Sequence, residues 1–261
     1  MTDLPPAVDE LVDVLADLPG AIAVVLGGSR ALAPVEPGRD WDLGLYYRRT
    51  IDLTALAPRG VVHPPGSWGR VMNGGAWLRC GEHNVDVLLR DLDVVEHWTR
   101  RATDGEFELD ALLGYLAGIP TYTLTAELAS CRVLRGEVPD AAPYPEKLAA
   151  AGPPRWRFCR SFSLDYARAM ASRGEVAAAM GHVARAVMEE GHALLCERRQ
   201  WVCNEKRLIE SSGLAAVQDL FARTPDPTAF VQWVDLVANR IGGPAVDTSP
   251  WTDAGRRPEV N

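Results

Sequence analysis

The chain has 261 residues, 47% hydrophobic and 24% charged, ordinary for a globular protein and unlike a disordered, collagen-like or coiled-coil chain. That length allows one large domain or two small ones, with a core that needs no disulfide staples. The 35 acidic residues outnumber the 27 basic ones for a net charge of −8, the opposite of the basic balance of proteins that track nucleic acid, so no nucleic-acid partner is expected.

Val8, Leu11, Val12, Leu15 and Leu18 recur at helical spacing, and Pro19 and Gly20 stop the run. Ala21 to Leu26 reads as a buried strand and is the longest apolar run, far short of the ~20 residues that span a bilayer, so no membrane partner is expected. A turn follows at Gly27-Gly28, and Ser29 to Ala33 opens a short helix. Asp40 to Tyr47 is a second strand, Gly75 to Arg79 a third and Val85 to Leu89 a fourth, with the Pro58–Gly75 stretch read as a loop. Leu92 to Arg101 reads as a helix that continues over Thr103 to Gly118 until Pro120 ends it.

Prolines 139, 143, 145, 153 and 154 then break the pattern. From Trp156 it is helical, over 156–172, 175–199, 214–223 and 228–240. These readings sum to an α+β fold: a mixed-sheet domain over 1–140, a linker over 141–154, an antiparallel helical bundle over 155–243 and a loose tail over 244–261. The start, Met1 to Pro6, lacks the basic and apolar stretches of a signal peptide, which makes a cytoplasmic location the expectation. Cys80, Cys131, Cys159, Cys196 and Cys203 form no CxxC pair, so reduced thiols are expected rather than a zinc site.

The chemistry concentrates in two short segments. Gly27, Gly28 and Ser29 end the first strand, and ten residues after Ser29 come Asp40 and Asp42, separated only by Trp41. Alternate residues of a strand share a side, so the two carboxylates converge, which suits a Mg²⁺ shared with a phosphate chain. Glycine allows backbone N–H groups to approach phosphates closely. In Asn84 to Arg90, Asp86 interrupts an apolar strand, and a carboxylate there needs a partner such as a cation. Asp91 and Asp93, just past that strand, are read as helix caps.

This Gly-Ser, Asp-x-Asp and later strand aspartate resemble the nucleotidyltransferase superfamily that includes DNA polymerase beta. An acidic α/β half followed by a helical bundle is similar to its small-molecule group, typified by aminoglycoside and lincosamide nucleotidyltransferases. The resemblance implies that Asp40, Asp42 and Asp86 hold Mg²⁺ against a nucleoside triphosphate, and that Asp86 takes the proton of an attacking hydroxyl. It implies that Gly27, Gly28 and Ser29 cradle the phosphates, with Arg39, Arg30 and Lys206 as candidate cations. Lys206 lies in Trp201 to Leu208, a string similar to an Asn-Glu-Lys segment of many bacterial members. Transfer of AMP from ATP to a small acceptor is the reaction expected, and a homodimer is possible in the group.

Residues 1–154 carry 13 basic and 22 acidic groups, a net of −9, which favours a cationic or neutral polar acceptor such as an amino sugar. Trp68 is a candidate to stack on a base or sugar, and Glu190 to bind a substrate ammonium. Arg185 and His192, seven apart on one helix and read as facing away from its apolar stripe, resemble the catalytic pair of HEPN ribonucleases. The partner antitoxins of those ribonucleases are minimal nucleotidyltransferases, so the competing expectation is an antitoxin-type AMP transferase acting on a protein.

Overall fold

The computed structural model describes residues 4–32, 40–140, 143–223 and 225–242. The chain divides into two units, Met1–Leu148 and Ala149–Asn261. No helix among the described residues is long and apolar enough to cross a membrane. Arg39 and the expected tail at 244–261 lie outside the described residues.

The first unit runs α1 (Pro6–Ala16), β1 (Ala21–Leu26), α2 (Gly28–Leu32), β2 (Trp41–Tyr47), β3 (Gly60–His63), α3 (Gly69–Met72), β4 (Gly75–Cys80), β5 (His83–Asp91), α4 (Leu92–Thr103), β6 (Leu109–Asp110), β7 (Ile119–Pro120), α5 (Thr123–Ser130) and β8 (Arg132–Gly136). Its main sheet has the order β3-β4-β5-β2-β1-β8. The β2–β5 pair is parallel and every other neighbour is antiparallel. The chain must therefore cross back between β2 and β5, and β3, α3 and β4 fill that crossover.

Strand alternation divides the residues of this sheet into two faces. Val24, Leu26, Trp41, Leu43, Leu45, Ala76, Leu78, Val85, Val87 and Leu89 pack with Val8, Leu11, Val12 and Leu15 of α1 in one core. On the other side Ala23, Val25 and Tyr46 pack with Leu92, Val95 and Trp98 of α4 and Leu124 and Leu128 of α5. A short β4–β5 hairpin turns at Gly81 and Glu82, and Gly81 has the positive φ of 59° that the first position of a type II′ turn uses.

Several expectations change here. The helix read over Thr103 to Gly118 stops at Thr103, because Gly105, Gly114 and Gly118 all take positive φ values that a helix cannot continue through. Residues 104–118 instead carry β6, paired with β7. The Pro58–Gly75 loop contains the edge strand β3 and the short helix α3. Asp91 caps α4 as expected, its side chain accepting the Asp93 N–H at 3.0 Å.

In the second half α6 (Glu146–Ser172) starts within the expected linker and runs through Pro153 and Pro154. Gly152 and Pro153 are buried. A Cβ on Gly152 would come within 3.0 Å of Cys196 Sγ, so close packing on the next helix holds this segment helical despite its lost N–H donors. That next helix is α7 (Val176–Glu197), followed by α8 (Leu208–Ser211), α9 (Gln218–Phe221) and α10 (Phe230–Arg240). Arg157, Arg160 and Ser163 of α6 meet Glu197, Glu190 and Glu189 of α7, in reverse chain order, which makes the pair antiparallel. Leu164, Ala167, Val183, Val187, Phe230, Val234 and Val237 build the shared core of α6, α7 and α10.

One buried ion pair ties β5 to α5. Arg90 is 2% exposed and clasps Glu127 with Nε at 2.5 Å and Nη2 at 2.7 Å, while Nη1 donates to the Met72 and Leu89 carbonyls. Removing one member of such a pair leaves a buried charge without compensation. Glu127→Ala should cost about 3–5 kcal/mol in urea unfolding, and the double replacement Arg90→Met with Glu127→Leu should recover most of the loss.

Candidate active site

Helices α4 and α5 pack on one end of a sheet face whose other end carries Asp42, Asp86 and Trp77. The register brings Gly27, Asp42, Asp86 and Trp77 into one row across four strands. Asp42 lies beside Asp86 in the parallel pair, Trp77 faces Asp86 across the antiparallel pair, and the Gly27 N–H donates to the Asp42 carbonyl at 2.8 Å. Asp42 and Asp86 are half-buried, whereas their chain neighbours Trp41, Leu43, Val85 and Val87 are buried in the opposite face. Neighbouring strands lie ~4.8 Å apart, so the two carboxylates are side by side.

The Gly27-Gly28-Ser29 turn closes directly over Asp42. A Cβ on Gly28 would fall 2.0 Å from Asp42 Oδ2 and 2.7 Å from its Cγ, and Gly28 also has a φ of +60°. Gly28 is therefore required twice, by conformation and by contact. Ser29 is exposed beside it. Asp40 is exposed just before β2, and its Oδ1 accepts from Asn84 Nδ2 at 3.1 Å. Arg30 Nε donates to the Asp40 carbonyl at 3.2 Å, and its guanidinium lies 4.2 Å from the centre of the Trp41 ring. Arg30 thus holds the start of β2 against α2.

Gly28, Asp42 and Asp86 are neighbours, Gly27 and Ser29 flank Gly28 in the chain, and Asp40 is hydrogen-bonded to Asn84, two residues before Asp86. Among the described residues no group of three or more His, Cys, Asp or Glu side chains is arranged to hold a metal. The donor set still fits magnesium. Mg²⁺ takes one or two carboxylates and completes its shell with phosphate oxygens and water, and Asp42 and Asp86 offer two hard oxygen ligands beside a glycine turn.

Trp68 is half-buried at the start of α3, against Trp77 and His63 rather than in an open loop. Lys206 is in the second unit, exposed in a turn whose N–H bonds Asn204 Oδ1. Glu190, also there, is nearly buried and receives Arg157 and Arg160, so a bundle salt bridge rather than an ammonium site accounts for it. Sequence reasoning missed Trp77 and Asn84; the signal was their strand alternation relative to Asp86.

The Arg185–His192 pair does not share an exposed face. His192 is 2% exposed, its ring stacked 4.2 Å from Trp156 at 8°, and neither ring nitrogen has a hydrogen-bond partner among the described residues. The expectation of a solvated position fails because the bundle packs on both sides of α7. Arg185 pairs with the buried Glu189 and lines a 270 Å³ groove with Phe158, Phe162, Tyr166 and His182. Burial raises the Glu189 carboxyl above its ordinary range, against the pull of Arg185 and Ser163.

No family model and no curated protein matches the chain. Among solved structures, a nucleotidyltransferase-like protein from Exiguobacterium sibiricum 255-15 aligns over 90% of this chain and 72% of its own, at 12% identity and a TM-score of 0.43. An aminoglycoside 6-adenyltransferase from Bacillus subtilis aligns over 92% of this chain and 93% of its own, at 9% identity and a TM-score of 0.28. At these values neither likeness assigns residues or an activity to this chain.

The contact between Gly28 and Asp42 predicts energetic coupling. Gly28→Ala should destabilise by ~1–2 kcal/mol from its left-handed φ alone, and further by displacing the carboxylate. In an Asp42→Ala background that further loss should shrink, because only the residue 42 Cβ at 3.0 Å remains in the way, giving a coupling of ~0.5–3 kcal/mol in denaturant melts; additive losses would mean that the carboxylate does not rest on Gly28.

Burial pushes the His192 pKa down from 6.5 to about 3. Between those values the unfolded chain binds a proton that the folded protein refuses, so stability falls as pH drops through this window. The loss from this one group is at most ~1.4 kcal/mol per pH unit. His192→Phe keeps an aromatic ring against Trp156 and should flatten this acid-side loss, measured by urea unfolding at pH 7 and pH 4.5.

Proposed function

We propose that the protein is a magnesium-dependent nucleotidyltransferase that moves a nucleoside monophosphate, with AMP from ATP as the first donor to test, onto a hydroxyl of a small polar acceptor. The observation that carries this reading is the row in which Gly28 abuts Asp42 and Asp42 neighbours Asp86 on one sheet face. Two adjacent carboxylates repel each other and favour a site where cations gather. Bound magnesium would neutralise developing negative charge on the phosphates and leaving group.

The residues divide the work along the row. Gly28 and Ser29 would present backbone N–H groups and a hydroxyl to the outer phosphates, while Gly27, whose N–H bonds the Asp42 carbonyl, ties the turn to β2. Asp42, with Asp40 beside it, would hold the cation on the phosphate side. Asp86 would accept the proton as the acceptor oxygen bonds to the α-phosphorus and the bond to the bridging oxygen breaks, releasing pyrophosphate. Asn84, which donates to Asp40, would keep that carboxylate oriented. Arg39 and Lys206 remain candidate cations for the triphosphate. The net of −9 over residues 1–154 supports a cationic or neutral acceptor over an acidic one.

Calorimetric titration with ATP tests the reading. Binding should require Mg²⁺, and Asp42→Asn or Asp86→Asn should weaken it at least about tenfold, ~1.4 kcal/mol, with the fold intact by circular dichroism. Equal binding with and without Mg²⁺, or none at all, would refute it.

A further inference from the structure

β4 is flanked by β3 and β5, yet it carries a large aromatic ring into the open. Trp77 is 52% exposed, while Ala76 and Leu78 on either side of it are buried in the α1 core. The ring is not loose. Trp68 packs against it at 5.6 Å and 31°, and His63 at 4.5 Å and 70°. Trp68 in turn lies over Gly75, where a Cβ would come within 2.5 Å of its ring. Asn73 locks the segment around Trp68: its carbonyl accepts the Trp68 N–H, its Oδ1 accepts the Gly66 N–H, and its Nδ2 donates to the buried Tyr47 hydroxyl at 2.7 Å. The Nε2 atom of His63 is buried with no hydrogen-bond partner among the described residues.

Position in the row gives this platform a meaning. The order across the sheet is Gly27, Asp42, Asp86 and Trp77. In an in-line displacement the attacking and leaving oxygens stand on opposite sides of the phosphorus. If pyrophosphate leaves on the Gly28–Ser29 side, the attacking hydroxyl stands at Asp86 and the body of the acceptor extends over Trp77, one strand spacing of ~4.8 Å further on.

We propose that Trp77, held by Trp68 and His63, is the floor of the acceptor site and selects an acceptor built on a ring, which lays a C–H face on the indole and points a hydroxyl at Asp86. This rests on the nucleotidyl-transfer reading. A rigid, preordered aromatic face loses little conformational entropy on binding. It offers dispersion to the C–H face of a ring and cation–π attraction to an ammonium on that ring, whereas a flexible chain presents less contact area and loses more conformational entropy. The same platform disfavours a hydroxyl on a polypeptide as acceptor.

Saturation-transfer NMR on the full chain with Mg²⁺ and α,β-methylene-ATP tests it, using glucosamine, galactose and myo-inositol as ring probes and glycerol as the chain control. At least one ring probe should receive saturation at its C–H protons, and glycerol should not. Trp77→Ala should abolish the transfer and Trp77→Phe should retain it, while the affinity for the ATP analogue changes less than twofold in both. Unchanged amide spectra outside β3, β4 and α3 would verify the fold of the variants. Silence from every ring probe, undiminished transfer to Trp77→Ala, or a loss of analogue binding in Trp77→Ala that marks the ring as a base platform would each overturn the proposal. Failure of the parent reading is separate: the analogue would not bind the unaltered protein, whatever the ring probes do.

Discussion

The parallel pairing of β2 with β5 is the constraint on which the first unit depends. It sets Asp42 beside Asp86 on one face and Trp41, Leu43, Val85 and Val87 on the other. A slip of either strand by one residue would turn its carboxylate into the α1 core and its two flanking apolar side chains, Trp41 and Leu43 or Val85 and Val87, out of it. Burial of the apolar set thus enforces the crowding of the acidic set. The repulsion between neighbouring carboxylates is small beside ~1.5–3 kcal/mol for each large apolar side chain kept from water.

The elements around that pair hold the two strands in place. Helices α4 and α5 pack on Ala23, Val25 and Tyr46, while Asp42 and Asp86 are half-buried and Trp77 is exposed. The Arg90–Glu127 clasp anchors the end of β5 to α5, and the same guanidinium reaches the Met72 carbonyl at the end of α3. One buried cation thus joins the covering helix, the strand that bears Asp86 and the segment that carries Trp68. Rigid strands rather than loops hold the carboxylates, the arrangement that keeps a site in register with its substrate.

The second unit buries polar groups of a different kind. Glu189 bonds Ser163 and Arg185, and Glu190 bonds Arg157 and Arg160, all between or along α6 and α7. Each carboxylate meets a guanidinium or hydroxyl, and these charge-assisted hydrogen bonds offset part of its desolvation, with burial still the larger effect at Glu189. His192 avoids the cost in another way, by remaining neutral and stacking on Trp156. These contacts fix the facing of two long helices whose apolar stripes alone, rich in alanine, would specify their register weakly.

The sequence by itself determined the local pieces. The Gly-Gly-Ser turn after a buried strand, the alternation around Asp42 and Asp86, the cap at Asp91 and the helical runs after Trp156 are short-range patterns, set by backbone sterics and by the period of apolar residues. It did not reveal α6 passing through Pro153 and Pro154, since packing of Gly152 on Cys196 overrides a local propensity. Nor did it reveal the burial of His192, or that Glu190 serves Arg157 and Arg160. The break after Thr103 was written in Gly105 and Gly114 but was outweighed by the apolar pattern around them. Only the tertiary structure decided which strands are neighbours, and with that the row from Gly27 to Trp77. Pairing between strands some 40 residues apart is governed by burial over the whole sheet, a quantity that no local stretch of sequence contains.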